Sequence, residues 1–133
     1  RFGLARRRAG RQGDDLKRGV PERGDILSLN LDPAFGTEQQ ARRPVLSLSP
    51  WAFNLRSGLV LVCPITRGGR FARENRFAVP LTASDTSTQG IILCHQLRTI
   101  DYRAKPRAVR FVERAPEPIV QEALALAQTL VMS

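Results

Sequence analysis

The sequence predicts a mostly β chain with added helices, an α+β class built around a small barrel or sandwich, and three observations lead there. Short apolar runs recur between Gly, Pro, Asn and Asp punctuation, and one stretch near the end repeats apolar residues at helical spacing. The length, 133 residues with 42% hydrophobic content, suffices for one compact core and falls short of two ordinary ones. Strands are expected near 25–31, 44–49, 58–65, 75–81, 90–95 and 107–113.

The first strand, Asp25 to Leu31, is rich in Leu and Ile but alternates poorly, and Asp32-Pro33 with Gly36 ends it. The second returns through Val45 to Leu48. A short helix follows near Pro50 to Leu55, with Ser57-Gly58 to stop it. Leu59 to Cys63 is the longest apolar run and forms the third strand. Arg67 to Asn75 is a basic arm between strands, loosened by Gly68-Gly69, and Asp85 to Gln89 is a polar turn. Pro116 to Met132 sets Ile119, Val120, Ala123, Leu124, Ala127, Leu130 and Val131 on one face, with Glu117 and Pro118 in its first turn. That pattern is an amphipathic helix packed on the sheet.

Composition removes several function classes. The run Leu59 to Cys63 is far short of the ~20 residues a membrane span needs. The N-terminal segment is Arg-rich without an apolar stretch, so it does not read as a secretory signal. Cys63 and Cys94 lie inside apolar runs and make no disulfide framework; they read as reduced core residues of a cytoplasmic protein. One histidine, His95, and scattered carboxylates offer neither a zinc pattern nor a two-metal centre, so no metal or cofactor is expected.

The net charge is +9, and it is uneven. Residues 1–23 hold eight of the 21 Lys and Arg and three of the 12 acids, a balance of +5, which leaves +4 for residues 24–133. The first segment is rich in Arg and Gly, shows no period, and is expected to be a flexible basic tail before a single domain. A basic domain favours a polyanionic partner whose binding falls with salt, although such charge also serves solubility.

The chemistry concentrates in the loop between the first two strands. Glu38, Gln39, Gln40, Arg42 and Arg43 place a carboxylate, two amides and two guanidiniums within six positions. An arginine fork suits phosphate, and a nearby carboxylate orients that fork or takes a proton. A solvated loop with a surface ion pair accounts for the same residues.

Separated motifs carry a resemblance that the loop alone does not. Gly24-Asp25, Asp32-Pro33, Gly36, Glu38-Gln39, Arg43-Pro44, Ser49-Pro50, Asn54, Pro64-Ile65-Thr66 and Gln96 occur in order, and together they resemble the MazF/PemK toxin family. Ala52-Phe53-Asn54, the run Pro64 to Arg73 and Glu122-Ala123-Leu124 are similar to its ChpB type, and the likeness spans Glu22 to Val131. The resemblance implies an SH3-like β-barrel with a short helix after the second strand and a C-terminal helix. It further implies a metal-independent, sequence-selective endoribonuclease acting as a toxin on single-stranded mRNA. Ends would be a 2′,3′-cyclic phosphate and a 5′-hydroxyl.

Residue by residue, the resemblance makes Arg43 the catalytic arginine, Thr66 the hydroxyl on the scissile phosphate and Glu38 the loop acid. Gln39, Arg42, Arg67, Arg70, Arg73, Gln96 and Arg98 are candidate RNA contacts, with the amide of Gln96 suited to a base edge. His95 departs from the family pattern and inherits no catalytic role. Of Trp51, Phe53, Phe71 and Tyr102, at most one is expected to stack on a base. A homodimer and a cognate antitoxin with an acidic segment are implied partners. Two other functions fit the same fold: a gyrase-directed toxin, against which the ending Leu-Val-Met-Ser and the lone Trp51 stand in place of a Trp-Gly-Ile end, and a non-catalytic RNA-binding barrel.

Overall fold

The computed structural model describes residues 19–32, 42–69, 75–81 and 85–132. Among the described residues seven strands form in chain order: β1 (Asp25–Asn30), β2 (Arg42–Ser47), β3 (Leu59–Thr66), β4 (Ala78–Pro80), β5 (Ile91–Leu93), β6 (Arg98–Asp101) and β7 (Arg110–Arg114). Helix α1 is Trp51–Ser57, helix α2 is Glu117–Met132, and a 3-10 turn occupies Lys105–Arg107. The sheet runs β4-β5-β3-β2-β1-β7 with every pair antiparallel, and β6 joins it along β3. The described residues therefore form a mostly antiparallel β-sheet with two helices. Among the described residues the backbone ladder does not join β4 to β7, and the pairing is that of an open sheet.

The poor alternation of β1 has a packing cause. Ile26, Leu46, Cys63 and Ile65 face one core with Val79, Leu81, Ile92 and α2, whereas Leu27, Leu29, Val45, Val60, Val62 and Ile100 face another with Tyr102. Strands buried on both faces need apolar residues at successive positions, which erases the two-residue period. Their backbone groups are satisfied by the ladder, as in Ile26 opposite Leu46 and Leu46 opposite Cys63.

Helix α1 is held by one buried amide. Asn54 is fully buried; its Nδ2 donates to the carbonyls of Pro21 (2.8 Å) and Ser49 (3.2 Å), and its Oδ1 accepts from Ser49 Oγ (2.6 Å). The Tyr102 hydroxyl donates to the Asn54 carbonyl at 2.5 Å. Gly58, at φ 75°, caps the helix by donating its N–H to that same carbonyl, the stop expected from Ser57-Gly58.

Several expectations are corrected. Arg98–Asp101 is a strand the sequence reading omits, because only Ile100 of its four residues is buried. The strand expected over 75–81 shortens to Ala78–Pro80, that over 90–95 shortens to Ile91–Leu93, and that over 107–113 shifts to Arg110–Arg114 behind the 3-10 turn. On α2 only Val120, Ala123 and Ala127 are buried; Leu130 and Val131, expected on the packed face, are 43% and 78% exposed. Val20, Pro21 and Glu22 are buried. Among the described residues no helix is long and apolar enough to cross a membrane.

Asn54→Ala is expected to lower unfolding stability by about 2–4 kcal/mol, since it strands the carbonyls and hydroxyl that its side chain serves. Urea unfolding measures this, and a loss below ~0.5 kcal/mol would contradict the role given to Asn54.

Candidate active site

Antiparallel pairing brings the end of β1, the start of β2, the end of β3 and the start of β5 to one end of the sheet. An open cleft of about 670 Å³ lies there, lined from β2 by Arg42, Arg43 and Pro44, from β3 by Pro64 and Thr66, and by Arg67 just after it. Ser87, Thr88 and Gln89, between β4 and β5, form another wall, with Gln96 and Val112 completing it.

Val45 stands opposite Pro64 in the β2–β3 ladder. Arg43 and Thr66, each two residues beyond that pair, both line the cleft. Arg43 is exposed and its guanidinium donates to the Arg42 carbonyl at 2.8 Å. Thr66 is half-buried, and its Oγ1 accepts from the Gly68 N–H at 3.0 Å, which leaves the hydroxyl hydrogen to be donated elsewhere. A cation and a hydroxyl donor on neighbouring strands of one cleft form a site for an oxyanion.

Gly90 permits that arrangement. Its φ is 134°, and a Cβ there would sit 2.7 Å from the Thr66 carbonyl oxygen. Only glycine lets the chain entering β5 pass this close to Thr66.

Arg42 is spent differently. Its guanidinium donates to Ser28 Oγ (2.9 Å) and to the carbonyls of Ser28 (3.1 Å) and Ala108, tying β1 to the segment before β7. Arg98 donates to the Leu31 carbonyl at 3.2 Å and approaches Asp32 at 3.8 Å, and Arg107 donates to the carbonyls of Asn30 and Leu31. Three guanidiniums thus gather around the exit of β1. They make the rim positive while also satisfying its carbonyls.

Below the cleft, Cys63 and Cys94 are both free and fully buried. The hydrogen bond between them, with burial, holds the Cys63 thiol well above the ordinary range. That bond lowers the Cys94 thiol, while its burial opposes the shift.

Comparison with known proteins gives the family of the chain. A family model described as PemK-like, MazF-like toxin of type II toxin-antitoxin system matches residues 22–130. The chain belongs to this toxin family. It is 43% identical over 128 residues to the endoribonuclease PemK of Escherichia coli, covering 96% of this chain and 91% of that protein. It is 44% identical over 117 residues to the endoribonuclease toxin ChpB of Escherichia coli (strain K12), covering 87% and 98%. Among solved structures, MazF from Deinococcus radiodurans superposes with a TM-score of 0.71 at 32% identity, covering 86% of this chain and 98% of that one. A MazE-MazF complex from the same organism gives 0.69 at 28% identity, with 85% and 96% covered.

Of the residues singled out from sequence, Arg42, Arg43, Thr66, Arg67 and Gln96 line the one cleft. Arg98 does not line it and lies beside the β1 exit. Glu38, Gln39, Arg70, Arg73 and Phe71 lie outside the described residues. His95 is half-buried beside Phe77, with its Nε2 3.4 Å from Asn75 Nδ2 and its Nδ1 buried without a hydrogen bond among the described residues. Tyr102 is buried and bonded to Asn54, which removes it from stacking on RNA; Phe53 is exposed.

Sequence reasoning missed Ser28, Thr88 and Glu113. Glu113 accepts from both the N–H and the hydroxyl of Ser87 and of Thr88, at 2.6–3.0 Å. The hydroxyl run Thr86-Ser87-Thr88 was the available signal, but its partner stands about 25 residues away. Burial pushes the Glu113 carboxyl up, yet the four hydrogen bonds together outweigh it and hold the group below its ordinary value.

The sign of the resulting pH dependence is fixed. A carboxyl depressed in the folded state stabilises fully above its unfolded value of about 4.3, and that contribution is lost as pH falls through the folded value. Glu113→Gln is therefore expected to melt below the wild type at neutral pH, with the gap narrowing on acidification below about pH 4.3. A melting difference constant across that range would contradict the assignment.

Proposed function

We propose that this toxin-family chain is an endoribonuclease that cuts single-stranded mRNA at a short motif without a metal, by attack of the RNA's own 2′-hydroxyl. The 2′-oxygen loses its proton to a base and bonds to the adjacent phosphorus. The bond from phosphorus to the 5′-oxygen breaks, that oxygen takes a proton, and the products are a 2′,3′-cyclic phosphate and a 5′-hydroxyl. The single observation that carries this reading is the pairing of an exposed guanidinium, Arg43, with the Thr66 hydroxyl in one cleft. Arg43 stabilises the charge on the phosphorane and delivers the leaving-group proton, and Thr66 hydrogen-bonds a phosphate oxygen. Glu38 orients Arg43 or serves as the base. Arg67 and Gln96, at the cleft wall, hold flanking phosphate and base edge, with Gln39, Arg42, Arg70, Arg73 and Arg98 as further RNA contacts.

Around this site we place a small SH3-like barrel acting as a cytoplasmic homodimer, preceded by an Arg-rich segment outside the catalytic unit. A type II toxin is paired with an antitoxin, and an acidic antitoxin segment laid over the basic cleft would occupy the phosphate positions.

Arg43→Ala and Thr66→Ala are each expected to cut RNA in EDTA at least about a hundredfold more slowly than the wild type, with unchanged melting. A folded Arg43→Ala protein of full activity would sink the site.

A further inference from the structure

The segment between β4 and β5 and the strand β7 belong to opposite ends of the sheet order, yet one carboxylate joins them. Oε1 of Glu113 accepts the Ser87 N–H at 3.0 Å; Oε2 accepts Ser87 Oγ (3.0 Å), the Thr88 N–H (2.7 Å) and Thr88 Oγ1 (2.6 Å). A carboxylate has the acceptor capacity for four such donors, and no neutral side chain does.

A β-bulge aims it. Along β1 the step from Ile26 to Leu27 is matched on β7 by two residues, from Glu113 to Phe111, so Val112 is the extra residue. Bulges redirect side chains, and here Val112 faces the cleft while Glu113 takes the loop.

Glu113 itself does not line the cleft, whereas Ser87, Thr88 and Gln89 do. The loop is fixed at its other end by Gly90, packed on the Thr66 backbone. Between these anchors, Gln89 Nε2 donates to the Thr86 carbonyl at 3.1 Å, and its Oε1 has no hydrogen-bond partner among the described residues. That oxygen is an acceptor presented beside the catalytic pair, suited to the amino group of an unpaired nucleobase.

From this geometry we propose that Glu113 is a positioning residue for the RNA, fixing the Ser87–Gln89 wall against which a nucleobase flanking the scissile phosphate seats. The inference rests on the endoribonuclease reading of the cleft. Glu113 contributes no group to the reaction. Its removal loosens base placement, which weakens binding and blurs the choice of cut site while leaving the chemistry at Arg43 and Thr66 in place.

The test compares the full wild-type chain with Glu113→Gln and with Thr88→Val, which removes one hydroxyl of the latch and keeps its backbone N–H. The probe is a short random-sequence single-stranded RNA library, with cut ends sequenced and rates fitted for KM and kcat. Binding is measured to the same library carrying 2′-O-methyl riboses, which lack the attacking hydroxyl. For folded Glu113→Gln the expectation is a KM raised about tenfold, kcat within about twofold, and lost preference at one nucleotide flanking the cut. Thr88→Val should show the same loss of preference more weakly, and it reads the latch if Glu113→Gln fails to fold. A folded Glu113→Gln protein with wild-type KM and an unaltered cut pattern would overturn the proposal, as would lowered melting with no change in cut pattern. If the wild type binds the methylated library but cuts nothing, the endoribonuclease reading fails, and a weaker affinity in Glu113→Gln still upholds the positioning role. Equal affinity there overturns it, and a wild type that neither cuts nor binds overturns both.

Discussion

One strand holds the rest of the molecule in place. β3 pairs with β6 over Leu59–Val62, with β2 over Val62–Pro64 and with β5 over Ile65–Thr66, so it passes from one part of the sheet to another along eight residues. Val60 and Val62 fill one core, and Cys63 and Ile65 fill the other. Burying a Val or Ile side chain contributes about 1.5–3 kcal/mol, so this strand is anchored in both cores at once. Thr66 is the last residue of this strand, so its position follows from the packing of those before it.

The cleft follows from the same constraint. With β3 fixed, the β2 register holds Val45 opposite Pro64 so that Arg43 and Thr66 line one cleft, and the β5 register brings Gly90 against the Thr66 carbonyl. The arginines divide into two kinds of work. Arg42, Arg98 and Arg107 satisfy carbonyls where β1 ends, a use for which the planar fork is well suited, whereas Arg43 keeps an exposed guanidinium. Charge gathered in this way around the cleft favours the approach of a polyanion.

Much of this was legible in the sequence. The apolar runs, Gly58 after Ser57 and the periodic stretch 117–132 gave the strands, the stop of α1 and the existence of α2. What escaped did so for physical reasons. Arg98–Asp101 buries one residue of four, too little to stand out as a strand. Leu130 and Val131 continue the helical period, and period alone does not report whether a neighbour lies opposite. Arg43, Thr66, Arg67 and Gln96 stand within or beside sequence motifs, and all four line the cleft. Glu113 was not legible, since its value comes from a bulge and a loop distant in sequence, and no local pattern encodes either.

The central claim is that the Arg43–Thr66 cleft cuts RNA through the RNA's own hydroxyl. The most direct measurement maps the ends left on a long single-stranded RNA by the purified, antitoxin-free chain in EDTA. Cuts at one short motif, each leaving a 2′,3′-cyclic phosphate and a 5′-hydroxyl, are the result expected. Cuts leaving a 5′-phosphate, or no cutting by folded protein, would contradict it.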